Sequence, residues 1–191
     1  MRLFVALEIS EAVRENLAAI RENFSSIGPQ LRWVPKQNFH VTLKFIGSVP
    51  TEKLPAIIEA LRRVSVVDGV QVCIRGLAWY FNPKTSVMLW ATVEDSKPLT
   101  ALATAVDQRL ASLGIAPENR SFAPHFTLAR GNSRNLTAGI SIALSELAAK
   151  YKKHDFGSVT PQEFHLMESK TLPSGSVYSK VQSFPFTAAG N

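Results

Sequence analysis

His40-Val41-Thr42-Leu43-Lys44-Phe45 and His125-Phe126-Thr127-Leu128-Ala129-Arg130 say nearly the same thing 85 residues apart. Each is histidine, apolar residue, threonine, leucine, set in a run that reads as a β-strand. Successive side chains of a strand alternate faces. His40 and Thr42 are therefore expected on one face, with Val41, Leu43 and Phe45 behind them in the core. His125 and Thr127 are expected to do the same over Phe126 and Leu128. A polar pair above bulky apolar residues describes a strand that lines a cleft, and two copies would bring two imidazoles and two hydroxyls to one site.

Outward from the motifs, Arg2 to Glu8 reads as a first strand. A helix capped by Ser10 is expected over Glu11 to Phe24, with Val13, Leu17, Ile20 and Phe24 at helical spacing, broken by Ser25 to Pro29. Leu31 to Val34 is extended and stopped by Pro35, and Phe39 to Ile46 is the first motif strand. A second helix over Glu52 to Val64 has Thr51 as its expected cap. Val70 to Phe81 and Ser86 to Val93 flank Asn82-Pro83-Lys84-Thr85 as a hairpin. Pro98 to Leu113 is helical, with Leu99, Leu102, Val106, Leu110 and Leu113 on one stripe and Gly114 ending it. The second motif strand spans Pro124 to Arg130, and Ile140 to Lys152 is amphipathic. Glu163 to Ser169 and Val177 to Phe184 are strands joined by the turn-rich Thr171 to Gly175. Each half thus runs helix, motif strand, helix, hairpin. Two pseudo-equivalent lobes within a single domain over residues 1–191 are expected.

Composition narrows the class. With 46% hydrophobic and 19% charged residues, the chain has the makings of a compact globular protein rather than a disordered one. Its net charge of +6 is spread without a basic block, which suits attraction of a polyanion to a surface. The single cysteine, Cys73, rules out an internal disulfide and a thiol-rich metal site, and its apolar setting suggests buried packing. The N-terminal apolar run is too short for a signal peptide and no run approaches a membrane span, so a soluble cytoplasmic protein is expected.

Two histidines facing one substrate can supply a base and an acid. Opening a cyclic phosphodiester requires that water lose a proton and the leaving alkoxide gain one, and imidazoles with intrinsic pKa near 6.5 do both without a metal. The threonine hydroxyls can donate to the non-bridging oxygens. A metal site is the competing reading, but no third ligand lies at helical or strand spacing near either motif. His154 follows a Lys-rich helix end and reads as a solvated terminus, and His165 as a partly buried strand histidine. Neither a Walker-type loop nor a dinucleotide fingerprint is present.

The paired His-x-Thr motifs resemble those of the 2H phosphoesterase superfamily. Arg2-Leu3-Phe4-Val5-Ala6-Leu7, Trp33-Val34-Pro35, Thr42 to Gly47, Pro124 to Arg130, Phe164 to Ser169 and Pro173 to Tyr178 are similar to stretches of the RNA 2′,3′-cyclic phosphodiesterases, first described as 2′-5′ RNA ligases. The resemblance implies a bilobal α+β fold, with two antiparallel sheets facing a central cleft and helices outside. It implies hydrolysis of a terminal 2′,3′-cyclic phosphate to a 2′-phosphate with no cofactor, possible reverse ligation, and RNA ends or cyclic-phosphate nucleotides as partners of a monomeric enzyme. His40 would protonate the departing 3′ oxygen and His125 would activate water, with Thr42, Thr127 and Arg130 on the phosphate. Strict alternation puts Arg130 opposite Thr127, so that role requires it to lie past the regular part of the strand. Phe4 matches a family aromatic near the cleft, and Arg130 and Lys44 are expected to lower the histidines' proton affinity. A non-catalytic nucleotide- or RNA-binding module is the other class in play, and a small cyclic phosphate is another possible substrate.

Overall fold

The structure, a computed structural model, describes residues 1–22, 31–65, 70–94, 97–173 and 175–186. In chain order the elements are β1 (Arg2–Glu8), α1 (Glu11–Glu22), β2 (Arg32–Trp33), β3 (His40–Ser48), α2 (Leu54–Arg62), β4 (Val72–Asn82), β5 (Ser86–Val93), α3 (Lys97–Ala111), β6 (His125–Asn132), α4 (Ala138–Lys150), β7 (Asp155–Val159), β8 (Glu163–Leu172) and β9 (Gly175–Pro185). They form two antiparallel sheets, in the orders β3-β1-β8-β9 and β2-β6-β5-β4-β7. The α+β class with two antiparallel sheets stands as expected.

The lobes are not the two halves of the sequence. The hairpin of the first half, β4–β5, pairs with the second motif strand β6, while the C-terminal hairpin β8–β9 joins the first motif strand through β1. The helices cross over too. α3 packs on β3, whereas α1, which follows β1 directly, packs on β7 of the other sheet. Strand order along the chain repeats, but pairing partners lie far apart in sequence, and local pattern carries no information about them.

Local chemistry sets the ends of most elements. Ser10 accepts from the Val13 amide at 3.4 Å, and Val13, Leu17 and Ile20 are buried under α1. The expected end of that helix at Phe24 and the break from Ser25 to Pro29 lie outside the described residues. Thr51 does not cap α2. Residues Thr51–Lys53 form a 3₁₀ turn and the α-helix begins at Leu54 without a side-chain cap. Pro55 is the reason, because an α-helix starting at Thr51 would need the N–H that proline lacks. Thr137 does cap α4, accepting from the Ile140 amide at 3.3 Å, two residues earlier than periodicity alone placed that helix. β7 has too few apolar residues to be seen in the sequence. Cys73 is only half-buried, since it lies opposite the buried Val72 and Ile74 on β4.

The detail that shapes the cleft is a pair of matching β-bulges. Between β1 and β3 the register runs Val5 to Lys44 and then Ala6 to Thr42, leaving Leu43 unmatched. Between β5 and β6 it runs Leu89 to Ala129 and then Trp90 to Thr127, leaving Leu128 unmatched. Both bulges fall three residues after the histidine. An extra residue shifts everything beyond it to the other face. Leu43 and Lys44 are therefore both buried, as are Leu128 and Ala129. The next residues, Phe45 and Arg130, turn out on the His/Thr side. Phe45 is 60% exposed, which overturns its expected place in the core.

Candidate active site

His40 is the first residue of β3 and His125 the first of β6, and both are partly buried. Each ring is held in the same way. His40 Nδ1 donates to the Asn38 carbonyl at 2.7 Å, and His125 Nδ1 donates to the Ala123 carbonyl at 2.9 Å. With the proton committed at Nδ1, a neutral ring keeps its lone pair on Nε2. Thr42 uses it, its hydroxyl donating to His40 Nε2 at 3.1 Å. Thr127 is engaged from the other side, accepting from Arg130 at 3.3 Å. That bond exists only because the bulge at Leu128 brings Arg130 onto the Thr127 face.

An aromatic cluster packs around His40. Phe4, on β1, is buried with its ring centroid 4.8 Å from that of His40, and Tyr178 from β9 meets His40 edge-on at 5.2 Å. Phe4 also touches Tyr178 at 5.1 Å and Phe45 at 6.3 Å, so it is core residue and cleft floor at once. Trp90 flanks His125 at 5.8 Å. A cavity of about 130 Å³ borders His40 and is lined among others by Glu8, Arg14, Asn38, Tyr178 and Lys180.

Electrostatics brings the two motifs together. Burial lowers the His40 pKa to about 4, the Asn38 carbonyl opposes that fall, and the positive charges of Arg130, Arg14 and His125 lower it further. Lys44 takes no part. It is buried on the back of β3, where Nζ contacts Asp107 at 2.5 Å and the Ala116 carbonyl at 2.6 Å. The expectation that it lowers histidine proton affinity is corrected by the same bulge that exposes Phe45.

The other two histidines stand apart. His154 is exposed after α4, as expected. His165 is 2% exposed, deeper than expected, and bonds Ser183 at 3.0 Å, with burial lowering its pKa. Sequence reasoning missed Arg14, Asn38 and Trp90, none of which belongs to a motif. Asn38 carried a faint signal in its place two residues before His40, where Ala123 stands before His125.

Residues 3–186 match the family described as the AKAP7 2′5′ RNA ligase-like domain. The chain belongs to that family. As a member of the AKAP7 2′5′ RNA ligase-like domain family, it is 29% identical over 184 residues to the RNA 2′,3′-cyclic phosphodiesterase of Archaeoglobus fulgidus, covering 96% of this chain and 99% of that protein. It is also 29% identical to the enzyme of that name from Aquifex aeolicus, over 96% of each chain. Two solved structures share the fold. TT0787 of Thermus thermophilus aligns over the full length of both chains with a TM-score of 0.80 at 24% identity. E. coli LigT complexed with 3′-AMP gives 0.74 at 25% identity, over 97% of this chain and 98% of that one. The 2H phosphoesterase resemblance drawn from the motif pair stands. Among the described residues no helix is long and apolar enough to cross a membrane.

Proposed function

We propose that this protein hydrolyses a terminal RNA 2′,3′-cyclic phosphate to a 2′-phosphate, using His40 and His125 as a proton-transfer pair. The observation that carries the reading is the matched anchoring of the two imidazoles. Each gives its Nδ1 proton to the carbonyl two residues earlier, which leaves Nε2 as the nitrogen that faces chemistry, bonded in His40 by the Thr42 hydroxyl. The names of the relatives supply the substrate class.

In the proposed step, water attacks phosphorus in line with the 3′ oxygen. One imidazole takes the proton of water, the P–O3′ bond breaks, and the other imidazole gives the alkoxide its proton. The hydroxyls of Thr42 and Thr127 and the guanidinium of Arg130 hold the non-bridging oxygens, where charge accumulates. A 5′-hydroxyl attacking in place of water would make a 2′-5′ linkage by the same proton transfers. Phe45, exposed in the cleft beyond Thr42, offers a nucleobase a ring to stack on.

His40 protonates the 3′ oxygen and His125 takes the proton of water, the order implied by the resemblance. Burial lowers the free His40 pKa to about 4, and a phosphate anion bound beside the ring raises its proton affinity toward that of an acid working near neutrality. A substrate with sulfur in place of the 3′ bridging oxygen separates the two orders, because a thiolate departs without an acid. Activity of His40→Ala restored by that substrate is the expected result, and restoration of His125→Ala instead would reverse the assignment. On the normal substrate each variant should lose roughly 10²–10⁴-fold in turnover. Either variant working at near wild-type rate on an oligoribonucleotide ending in 2′,3′-cyclic phosphate sinks the proton-transfer pair. Turnover should also persist in excess chelator, and restoration by zinc or manganese after its loss would make the histidines metal ligands.

A further inference from the structure

Arg14 lies outside every motif, yet two backbone carbonyls and a carboxylate converge on its guanidinium. It projects from α1, with its side chain 13% exposed. Nη1 donates to the carbonyl of Lys36 at 2.9 Å and to that of Phe39 at 3.1 Å. Those carbonyls bracket the 3₁₀ turn Lys36–Asn38. The turn is the crossover between the sheets. Before it, β2 pairs with β6 and the Val34 amide donates to Leu128 of that strand at 2.8 Å; after it, β3 begins in the other sheet at His40. α1 itself is fastened to the second sheet, where Asn16 Nδ2 donates to the Phe156 carbonyl of β7 at 3.1 Å.

The middle of the turn acts on the imidazole. The Asn38 carbonyl receives the His40 Nδ1 proton, while its side-chain amide donates to the Ser176 carbonyl at 2.8 Å, at the start of the strand that carries Tyr178. We propose that Arg14 is a positioning residue for His40: it clamps the crossover turn to a helix anchored on the sheet of His125, and so fixes one imidazole relative to the other through the Asn38 carbonyl. This role rests on the function proposed above. An arginine suits the task because its planar guanidinium is engaged at two points, Nη1 by the two carbonyls and Nε by the Glu11 carboxylate at 3.7 Å, whereas a lysine presents a single rotatable point of charge.

The clamp has a second effect that a neutral strut lacks. The charged and titratable groups around His40 are Arg14 on α1, Arg130 and His125 on β6, Glu8 on β1, and Tyr178 and Lys180 on β9. The positive charge of Arg14 lowers the proton affinity of His40, and Glu11 lies 3.7 Å from the Arg14 Nε. Removing it should raise the proton affinity of His40 as well as loosen its ring.

The test compares Arg14→Met with Arg14→Lys in two measurements. The first is nitrogen and ring-proton NMR of the histidines against pH in the free protein. The second is steady-state hydrolysis of a cyclic-phosphate dinucleotide. Arg14→Met should lower kcat by about tenfold or more with KM changed less, since misplacing a reacting group acts mainly on the chemical step. Its His40 titration should move up from near 4, with a weakened Nδ1–H signature and unchanged His125 resonances. Arg14→Lys should keep the titration near the wild-type value and lose an intermediate share of kcat. Should the methionine variant not fold, Arg14→Gln, which keeps a donor without the charge, takes its place in the comparison. Wild-type kcat together with an unchanged His40 titration in the charge-removing variant overturns the role. The NMR arm needs no turnover, so an inert wild-type protein defeats the proposed function alone.

Discussion

Thr42 and Thr127 present the same side chain in opposite hydrogen-bonding states. One donates to an imidazole nitrogen and the other accepts from a guanidinium, so neither hydroxyl is committed to packing. In the proposed reaction both would turn to a phosphate oxygen. Threonine to serine should therefore be tolerated at either position. Threonine to valine, which keeps the shape, should lower turnover by roughly 10- to 10³-fold, the range for loss of one donor to a developing charge. Equal rates for the serine and valine variants would reduce both hydroxyls to packing. His40 also makes a stability prediction. In the unfolded chain it takes up a proton near 6.5, and in the folded protein only near 4. Between those values the unfolded state binds more protons, so the contribution is fully present above 6.5 and is lost as pH falls toward 4. Its size is on the order of 3 kcal/mol. His165, also lowered by burial, acts in the same direction. Urea unfolding of His40→Gln should accordingly depend less steeply on pH between 6.5 and 4 than that of the wild type. Parallel curves would show that the ring is less well shielded than its packing against Phe4 and Tyr178 indicates.

At the scale of elements, the bulges in β3 and β6 do what alternation forbids. They put His, Thr and the residue five places after the histidine on one face, and bury two consecutive residues on the other. In β6 those two are Leu128 and Ala129, which suit a core. In β3 they are Leu43 and Lys44, and the lysine is accommodated by Asp107 of α3 and the Ala116 carbonyl. That pair ties the helix to the back of the motif strand, and its two ends differ. Asp107 is partly exposed and also accepts from the Glu118 amide at 3.1 Å, whereas Lys44 is enclosed. Removing the carboxylate strands a buried ammonium, and Asp107→Ala should cost about 3 kcal/mol. Lys44→Met removes the buried charge and leaves its stem volume filled, at about 1 kcal/mol or less. Chemical denaturation measures both, and a methionine variant less stable than the alanine variant would contradict this account of the pair.

At the scale of the molecule, the proposed function gives the +6 charge and the cleft different parts of a substrate to act on. In the proposed function, Arg130 and the hydroxyls would hold the phosphate under attack inside the cleft, while the rest of an RNA strand would meet a basic surface. Screening reaches exposed charges first. Raising salt from about 50 to 200 mM should increase KM for a cyclic-phosphate oligonucleotide by severalfold and for a cyclic mononucleotide much less. Equal salt responses would confine recognition to the terminal nucleotide.

The motif histidines and threonines, the order of all but one strand, and the buried faces of α1 and α3 were legible from sequence, because each depends on near neighbours. Period-two and period-3.6 patterning is a local property; the i−2 carbonyl that anchors each imidazole is local too, but a backbone group leaves no mark in residue type. What the chain could not declare alone was whatever depends on pairing at a distance. The bulges are a relation between two strands, so Phe45 was expected inside and Arg130 needed a departure from regularity that only the register supplies. The exchange of hairpins between sheets, the bond from Arg14 to a turn more than twenty residues on, and the low proton affinity of His40 arise for the same reason. They come from groups remote in sequence and adjacent in space, and only the tertiary structure brings those together.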